Sequence, residues 1–364
     1  MSPPRPQRAL ARPDVALIPG YHSAQLEVEY RLNTNEAPEP PPPAFLEALE
    51  RELATVPLNR YPDREAGALR AALAELHGVR AGQVYVANGS NEVLQSILLA
   101  FGGPGRAAAV FEPTYALHAH IARITGTVVL EGERDDDFFV ARSELDRVLA
   151  AGHALGAENP AVTFLCSPNN PTGRIEPRAL LEEVLERAPG LVVVDEAYGQ
   201  FAPSSAVELL ADNPHLVVVR TFSKTWSLAA LRLGYALGAP EVVDALVSVT
   251  LPYHLDALKQ LAGRLALDYG EAMAARVARL VEERGRILAG LAELDVDVVP
   301  SDANFVLFRI RNRDARAVWA QLLERSVLVR DVSSWPRLSG HLRVTVGTAR
   351  ENDAFLDALR AALG

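Results

Sequence analysis

Two periodicities divide the chain. Short apolar runs at 84–87, 107–111, 161–165, 191–194 and 217–221, the last opening with three valines, have the length and composition of buried strands. Helical spacing separates several of them. Phe45, Leu49 and Leu53 recur every four residues. Leu69, Leu73 and Leu76 do nearly the same and stop at Gly78, which suits a left-handed helix cap, and residues 93–100 continue an apolar helix. This alternation predicts an α/β fold, a mostly parallel sheet with helices on both faces. Residues 255–294 read as one long helix or two. Beyond them, strands at 304–310, 327–330 and 342–346 and helices at 315–324 and 351–363 predict a smaller α+β unit. Ahead of Tyr30 the chain reads as an irregular arm, and the prolines from Pro40 to Pro43 read as a stiff extended crossing between units. The expected division is 1–43 for the arm and part of the small domain, 44–284 for the large domain, and 285–364 for the rest of the small domain.

With 364 residues and 49% hydrophobic content, the chain can bury cores for more than one domain. A net charge of −10 argues against nucleic acid as a partner, although a local cluster of arginines can still receive an anionic substrate. The single cysteine, Cys166, excludes an internal disulfide and a cysteine-based metal site, and no metal is expected. Residues 1–14 carry arginines without an apolar core of signal-peptide length, and no stretch is long and apolar enough for a membrane span. A soluble cytoplasmic protein is therefore expected.

The candidate chemistry centres on residues 217–232. A strand ends in hydroxyl residues, then come Lys224, a small-residue segment able to start a helix, and Arg232. A lysine amine can form a Schiff base with an aldehyde cofactor, and Thr221, Ser223 and Arg232 would suit a phosphate on that cofactor. A lone lysine after a strand is usually only a surface charge, but other stretches supply matching parts. Gly89 and Ser90 sit between a strand and a helix, where free backbone N–H groups cradle an anion. Asp195 closes an apolar strand at the edge where open α/β sheets bind ligands, or else it caps a helix. The turn-rich loop 167–173 aims Asn170 between prolines, and Tyr115 lies just past a strand end. Pyridoxal 5′-phosphate (PLP) needs such a set: the lysine, a carboxylate at the pyridine nitrogen (Asp195), donors to the phenolic oxygen (Asn170 and Tyr198), a stacking ring (Tyr115), and phosphate donors (Gly89, Ser90, Thr221, Ser223 and Arg232).

The stretches 32–36 (LNTNE), 61–63 (YPD), 87–92 (ANGSNE), 167–173 (SPNNPTG), 194–198 (VDEAY), 220–224 (RTFSK), 231–235 (LRLGY), 304–309 (NFVLFR), 342–348 (LRVTVGT) and 351–353 (END) extend over most of the chain. In them the sequence resembles the histidinol-phosphate aminotransferases, a family of fold-type I PLP-dependent enzymes. The resemblance implies that Lys224 holds the cofactor, that Asp195 contacts the pyridine nitrogen, and that Asn170 and Tyr198 contact the phenolic oxygen. It puts Tyr115 over the ring and Asn91 beside the phosphate. It also implies a homodimer in which Tyr61 reaches the neighbouring subunit's cofactor phosphate. Arg343 matches the arginine that receives the substrate's acidic group, and Asn35 falls in a substrate-side motif. Two departures stand out: Asn91 replaces the family's Asp, and Thr225-Trp226-Ser227 replaces Ala-Phe-Gly, which sets Trp226 near the site. Residues 332–339 lie outside the matching motifs.

The implied reaction moves an amino group between L-histidinol phosphate and 2-oxoglutarate, with glutamate as the other amino acid, in histidine biosynthesis. Such a site accepts a carboxylate and a phosphate at nearly the same position. Arg343 is the candidate shared contact, and Arg330 and Tyr21 are candidates for further phosphate donors. Arg330 is read equally well as a solvated edge charge, and Tyr21 as a packed aromatic. Alternative activities are an aromatic amino acid aminotransferase, a PLP-dependent decarboxylase, or an aminotransferase-like sensor without catalysis. The presence of Lys224 and Asp195, and an arm too short for a DNA-binding module, oppose the sensor.

Overall fold

The computed structural model describes residues 25–156 and 158–364. After β1 (Tyr30–Leu32), the strands β2 (Val84–Ala87), β3 (Ala107–Glu112), β4 (Val128–Glu133), β5 (Val162–Cys166), β6 (Leu191–Asp195), β7 (Leu216–Thr221) and β8 (Gly234–Leu237) form one sheet. Its order is β2-β8-β7-β6-β5-β3-β4. Neighbours are parallel except at β8, which runs antiparallel to both β2 and β7. The valine runs explain why both faces are covered, because alternate side chains point to opposite sides of a strand. Val192, Val194 and Val218 share a core with α1 (Pro43–Leu53), α2 (Gly67–His77), α5 (Arg142–Ala154) and α6 (Arg178–Arg187). Val193, Val217 and Val219 pack instead with α3 (Ser90–Phe101), α4 (Leu117–Ile124) and α7 (Pro240–Val249). This is the predicted α/β architecture.

The helices α8 (Ala257–Leu267) and α9 (Gly270–Ala292) lead to a second sheet made of β9 (Val296–Val298), β10 (Phe305–Ile310), β11 (Val327–Asp331) and β12 (His341–Thr345), together with β1. Its order is β1-β11-β12-β10-β9, with β1 parallel to β11 and the other pairs antiparallel. Leu280 and Ile287 of α9, and Phe355 and Leu359 of α11 (Ala349–Leu363), pack on Phe305, Phe308 and Leu342. The remaining helix, α10 (Ala315–Glu324), connects β10 to β11.

Two sequence expectations are corrected. Pro43 does not extend the proline spacer; it opens α1, where its missing N–H costs no hydrogen bond. The residues after Lys224 do not start an α-helix. They turn through Ser227, at φ 55°, into a single turn of 3₁₀ helix at Ala229–Leu231, which ends at Arg232 with φ 54°.

The antiparallel strand β8 braces the turn after β2. A Cβ added at Gly234 would lie 2.3 Å from the Ser90 nitrogen and 2.5 Å from the Gly89 carbonyl carbon, both backbone atoms with no side-chain freedom. Gly234→Ala is therefore expected to displace the 89–90 turn and to cost about 1–3 kcal/mol. Thermal melts of the two proteins check this, and an unchanged melting temperature would contradict the close approach.

Candidate active site

The carboxyl ends of β5, β6 and β7 and the start of α3 open onto a cleft of about 220 Å³. Ser90, Asn91, Tyr115, Asn170, Asp195, Tyr198, Thr221, Ser223, Lys224 and Arg232 line it from the larger sheet, and Asn35, Arg330 and Arg343 line it from the smaller one. Gly89 lies just behind the wall, against Arg232. Tyr61 is not brought to the cleft of its own chain: it is 80% exposed and stacks on Tyr253, with ring centroids 4.5 Å apart. Tyr21 lies outside the described residues.

Lys224 is half-buried, and its Nζ donates to the Thr34 carbonyl at 3.0 Å. Desolvation disfavours the charged amine most, the Arg343 guanidinium disfavours it further, and an opposing pull from Glu36 is followed by a smaller push from Arg232. The pKa falls from 10.5 to about 7.

Asp195, at the end of β6, is buried and fully engaged on its inner side. Its Oδ2 meets His118 Nε2 at 3.0 Å, and its Oδ1 accepts the Ala197 N–H at 3.0 Å. His118 is completely buried on α4, stacked on Phe164 at 4.8 Å and edge-on to Tyr115 at 5.4 Å. Sequence reasoning missed His118 because α4 carried no clear periodic signal. The only available cue was its place one helical turn after Tyr115.

Behind the lysine, Tyr198 accepts a hydrogen bond from Asn35 Nδ2 at 3.0 Å, and burial pushes its phenol well above the ordinary range. Asn170 Oδ1 accepts from Arg343 Nη1, while Arg343 Nη2 donates to the Asn33 carbonyl at 3.0 Å. The Tyr115 hydroxyl donates to Asn91 Oδ1 at 3.0 Å. Asparagine at position 91 thus keeps the acceptor oxygen that an aspartate would offer there. Across the cleft, Thr221 Oγ1 donates to Ser223 Oγ at 3.0 Å, and Arg232 Nη1 donates to the same oxygen at 3.2 Å. Trp226 corrects an expectation. Its ring does not line the cleft but is buried beside Phe222, with centroids 5.5 Å apart.

A family model described as aminotransferase class I and II matches residues 29–359. This chain belongs to that family. The histidinol-phosphate aminotransferase of Thermobifida fusca is 47% identical to it over 353 residues, which cover 94% of this chain and 93% of the relative. The enzyme of the same name from Frankia casuarinae is 46% identical over 354 residues, covering 93% of this chain and 86% of its own. A crystal structure of histidinol-phosphate aminotransferase from Sinorhizobium meliloti in complex with pyridoxal-5′-phosphate superposes with a TM-score of 0.81 at 25% identity. It covers 93% of this chain and 91% of that one.

The donor set of this aminotransferase fits PLP. Gly89 adopts φ 83°, and a Cβ there would lie 2.7 Å from Arg232 Nη2, so only glycine leaves the cradle open between the turn and the guanidinium. The start of α3 adds backbone donors, and the hydroxyls of Thr221 and Ser223 face the same space. Among the described residues, no group of three or more His, Cys, Asp or Glu is placed to hold a metal ion, and no helix is long and apolar enough to cross a membrane.

The amine of Lys224 attacks an aldehyde only when deprotonated, so the neutral fraction in the cofactor-free aminotransferase should rise through about pH 7. Reconstitution with PLP, followed by visible absorbance across pH, is expected to accelerate with a midpoint near that value. A midpoint above 9 would show that burial and the two arginines do not act on this amine.

Proposed function

We propose that this aminotransferase uses PLP to move an amino group between L-histidinol phosphate and 2-oxoglutarate, a step of histidine biosynthesis. Bound PLP supplies an electron sink for the carbon bearing the transferred amine. Lys224 supplies the amine that holds the cofactor and then moves the proton at that carbon, a task suited to a pKa near neutrality. Asp195 keeps a proton on the pyridine nitrogen, and His118 fixes the carboxylate that does so. Asn170 and Tyr198 donate to the phenolic oxygen, and Tyr115 covers the ring, with Asn91 orienting its hydroxyl. Gly89, Ser90, Thr221, Ser223 and Arg232 hold the phosphate.

The observation that carries the substrate reading is a pair of arginines. Arg330 on β11 and Arg343 on β12 are register partners across neighbouring strands, and both line the cleft that holds Lys224. Like charges directly opposite each other destabilise a sheet, and an anion between them relieves that cost. A phosphate, larger and more highly charged than a carboxylate, uses both guanidinium groups. A carboxylate is satisfied by the buried Arg343 alone. Tyr21 is a further candidate donor. The plainer reading of Arg330 as a solvated edge charge sits poorly with its half-buried place on an interior strand of the smaller sheet.

Half-reaction spectra with histidinol phosphate, phenylalanine and glutamate test this directly. Arg330→Leu is expected to lower kcat/KM for histidinol phosphate about tenfold to a hundredfold, the range of one charged hydrogen bond, and to affect phenylalanine much less. Arg343→Leu should damage every donor. A wild type that prefers phenylalanine over histidinol phosphate, or an equal loss for both donors in Arg330→Leu, would favour the aromatic-aminotransferase alternative.

The enzyme works as a cytoplasmic homodimer with shared sites. Support comes from an exposed apolar group in which Leu58 and Tyr61 are each 80% exposed, Leu251 77% and Tyr253 42%. In the dimer, Tyr61 serves the cofactor phosphate of the neighbouring subunit. Mixing Tyr61→Phe and Lys224→Ala chains should then restore activity in heterodimers, where one site receives both intact residues. No recovery, with subunit exchange verified by native mass spectrometry, would contradict sharing.

A further inference from the structure

Residues 332–339, outside the motifs quoted above, form a built loop between β11 and β12. Asp331 Oδ1 accepts the Ser333 N–H at 2.9 Å, the Trp335 N–H donates to the Val332 carbonyl at 2.9 Å, and the Leu338 N–H donates to the Trp335 carbonyl at 3.1 Å. Val332 and Leu338 are fully buried against Leu307 and against Phe138, which belongs to the turn after β4. That turn is itself fixed, because Arg134 Nη1 donates to the Phe138 carbonyl at 2.9 Å. Arg337 adds an ionic tie across the same junction, 2.7 Å from Glu133 Oε2 and 2.9 Å from Asp136 Oδ1. Exposed pairs of this kind contribute little on their own, so the apolar cluster does most of the anchoring.

The product of this scaffold is the position of one ring. Trp335 lines the cleft, and the Arg330 guanidinium carbon lies 5.8 Å from its ring centroid, within cation–π range. The register neighbour of Arg330, Arg343, is also cationic, so a contact that holds the Arg330 head without adding negative charge matters here. An indole face attracts a guanidinium without neutralising it, so the charge remains available to an anion. A carboxylate in the same place would quench it.

We propose that Trp335 is a positioning residue for Arg330 and thereby sets the preference of the cleft for a phosphorylated donor. The inference rests on the phosphorylated-donor reading above. It assigns the selectivity to a pair, Arg330 with Trp335, rather than to the arginine alone.

The test uses the PLP-loaded enzyme and four variants: Trp335→Leu, Trp335→Phe, Arg330→Leu and the Arg330→Leu/Trp335→Leu double variant. Two quantities are read: donor half-reactions with histidinol phosphate and glutamate, and competitive inhibition by inorganic phosphate. Trp335→Leu is expected to raise KM for histidinol phosphate and the inhibition constant of phosphate about five- to tenfold, with kcat nearly unchanged and glutamate within about twofold. Trp335→Phe keeps a π face and should recover most of the loss. In the Arg330→Leu background, Trp335→Leu should add less than about twofold, because the residue it positions is gone. An equal loss for both donors, a full additive loss in the double variant, or a phenylalanine variant as impaired as the leucine variant would overturn the proposal. Failure of the broader reading is seen separately, in the wild type's choice between histidinol phosphate and phenylalanine. The coupling between positions 330 and 335 in phosphate inhibition does not depend on that choice.

Discussion

Four cationic side chains converge at one point of an acidic molecule. Lys224, Arg232, Arg330 and Arg343 line a single cleft in a chain of net charge −10, and Asp195 is the one carboxylate among the described lining residues. The partners that hold these cations in place are largely neutral. Lys224 donates to the Thr34 carbonyl, Arg343 to the Asn33 carbonyl and the Asn170 amide, and Arg232 to the Ala229 carbonyl and the Ser223 hydroxyl. Carbonyl and hydroxyl acceptors fix the geometry of a cation without cancelling its field. The cleft therefore keeps a potential that favours anions, and burial first, with the neighbouring guanidinium charges second, lowers the pKa of the lysine amine to about 7.

This arrangement requires both sheets. The carbonyls of Asn33 and Thr34 follow β1, and Arg343 sits on β12, whereas Asp195 ends a strand of the larger sheet and Lys224 and Asn170 follow two others. Two of the contacts cross between the sheets, Lys224 to the Thr34 carbonyl and Arg343 to the Asn170 amide. The buried contact of Asn35 with Tyr198 and the Phe138 cluster with Val332 and Leu338 hold the two halves in register. Packing far from the chemistry in sequence thus determines whether the charges meet.

The β-branched runs made the central strands legible, because Val192–Val194 and Val217–Val219 can be buried on both sides only within a covered parallel sheet. The residues at the ends of those strands were legible for the same reason: Asp195, Thr221, Ser223 and Lys224 follow directly on apolar runs. What escaped were elements whose own sequences are weakly patterned. The strand β4 (Val128–Glu133) has an exposed, glutamate-containing face, and β8 (Gly234–Leu237) is four residues long and begins with glycine. His118 escaped because a buried histidine on a helix has no local signature; its role is set by Asp195, 77 positions away. Trp226 was misplaced because sequence adjacency to Lys224 says nothing about direction, and Ser227 in the left-handed region turns the chain just there.

The parallel pairing of β1 with β11 also has a consequence for synthesis. Tyr30 lies beside Val327, and the neighbouring Glu29 amide bonds to the Ser326 hydroxyl across a separation of 297 residues. At typical translation rates, roughly 15–60 s pass between the appearance of β1 and that of its partner strand. Through that interval the larger sheet, whose strands run from Val84 to Leu237, can complete itself, while the backbone groups of β1 have only water to bond to. The cleft is thus completed last: its smaller-sheet wall cannot close until the final strands have emerged.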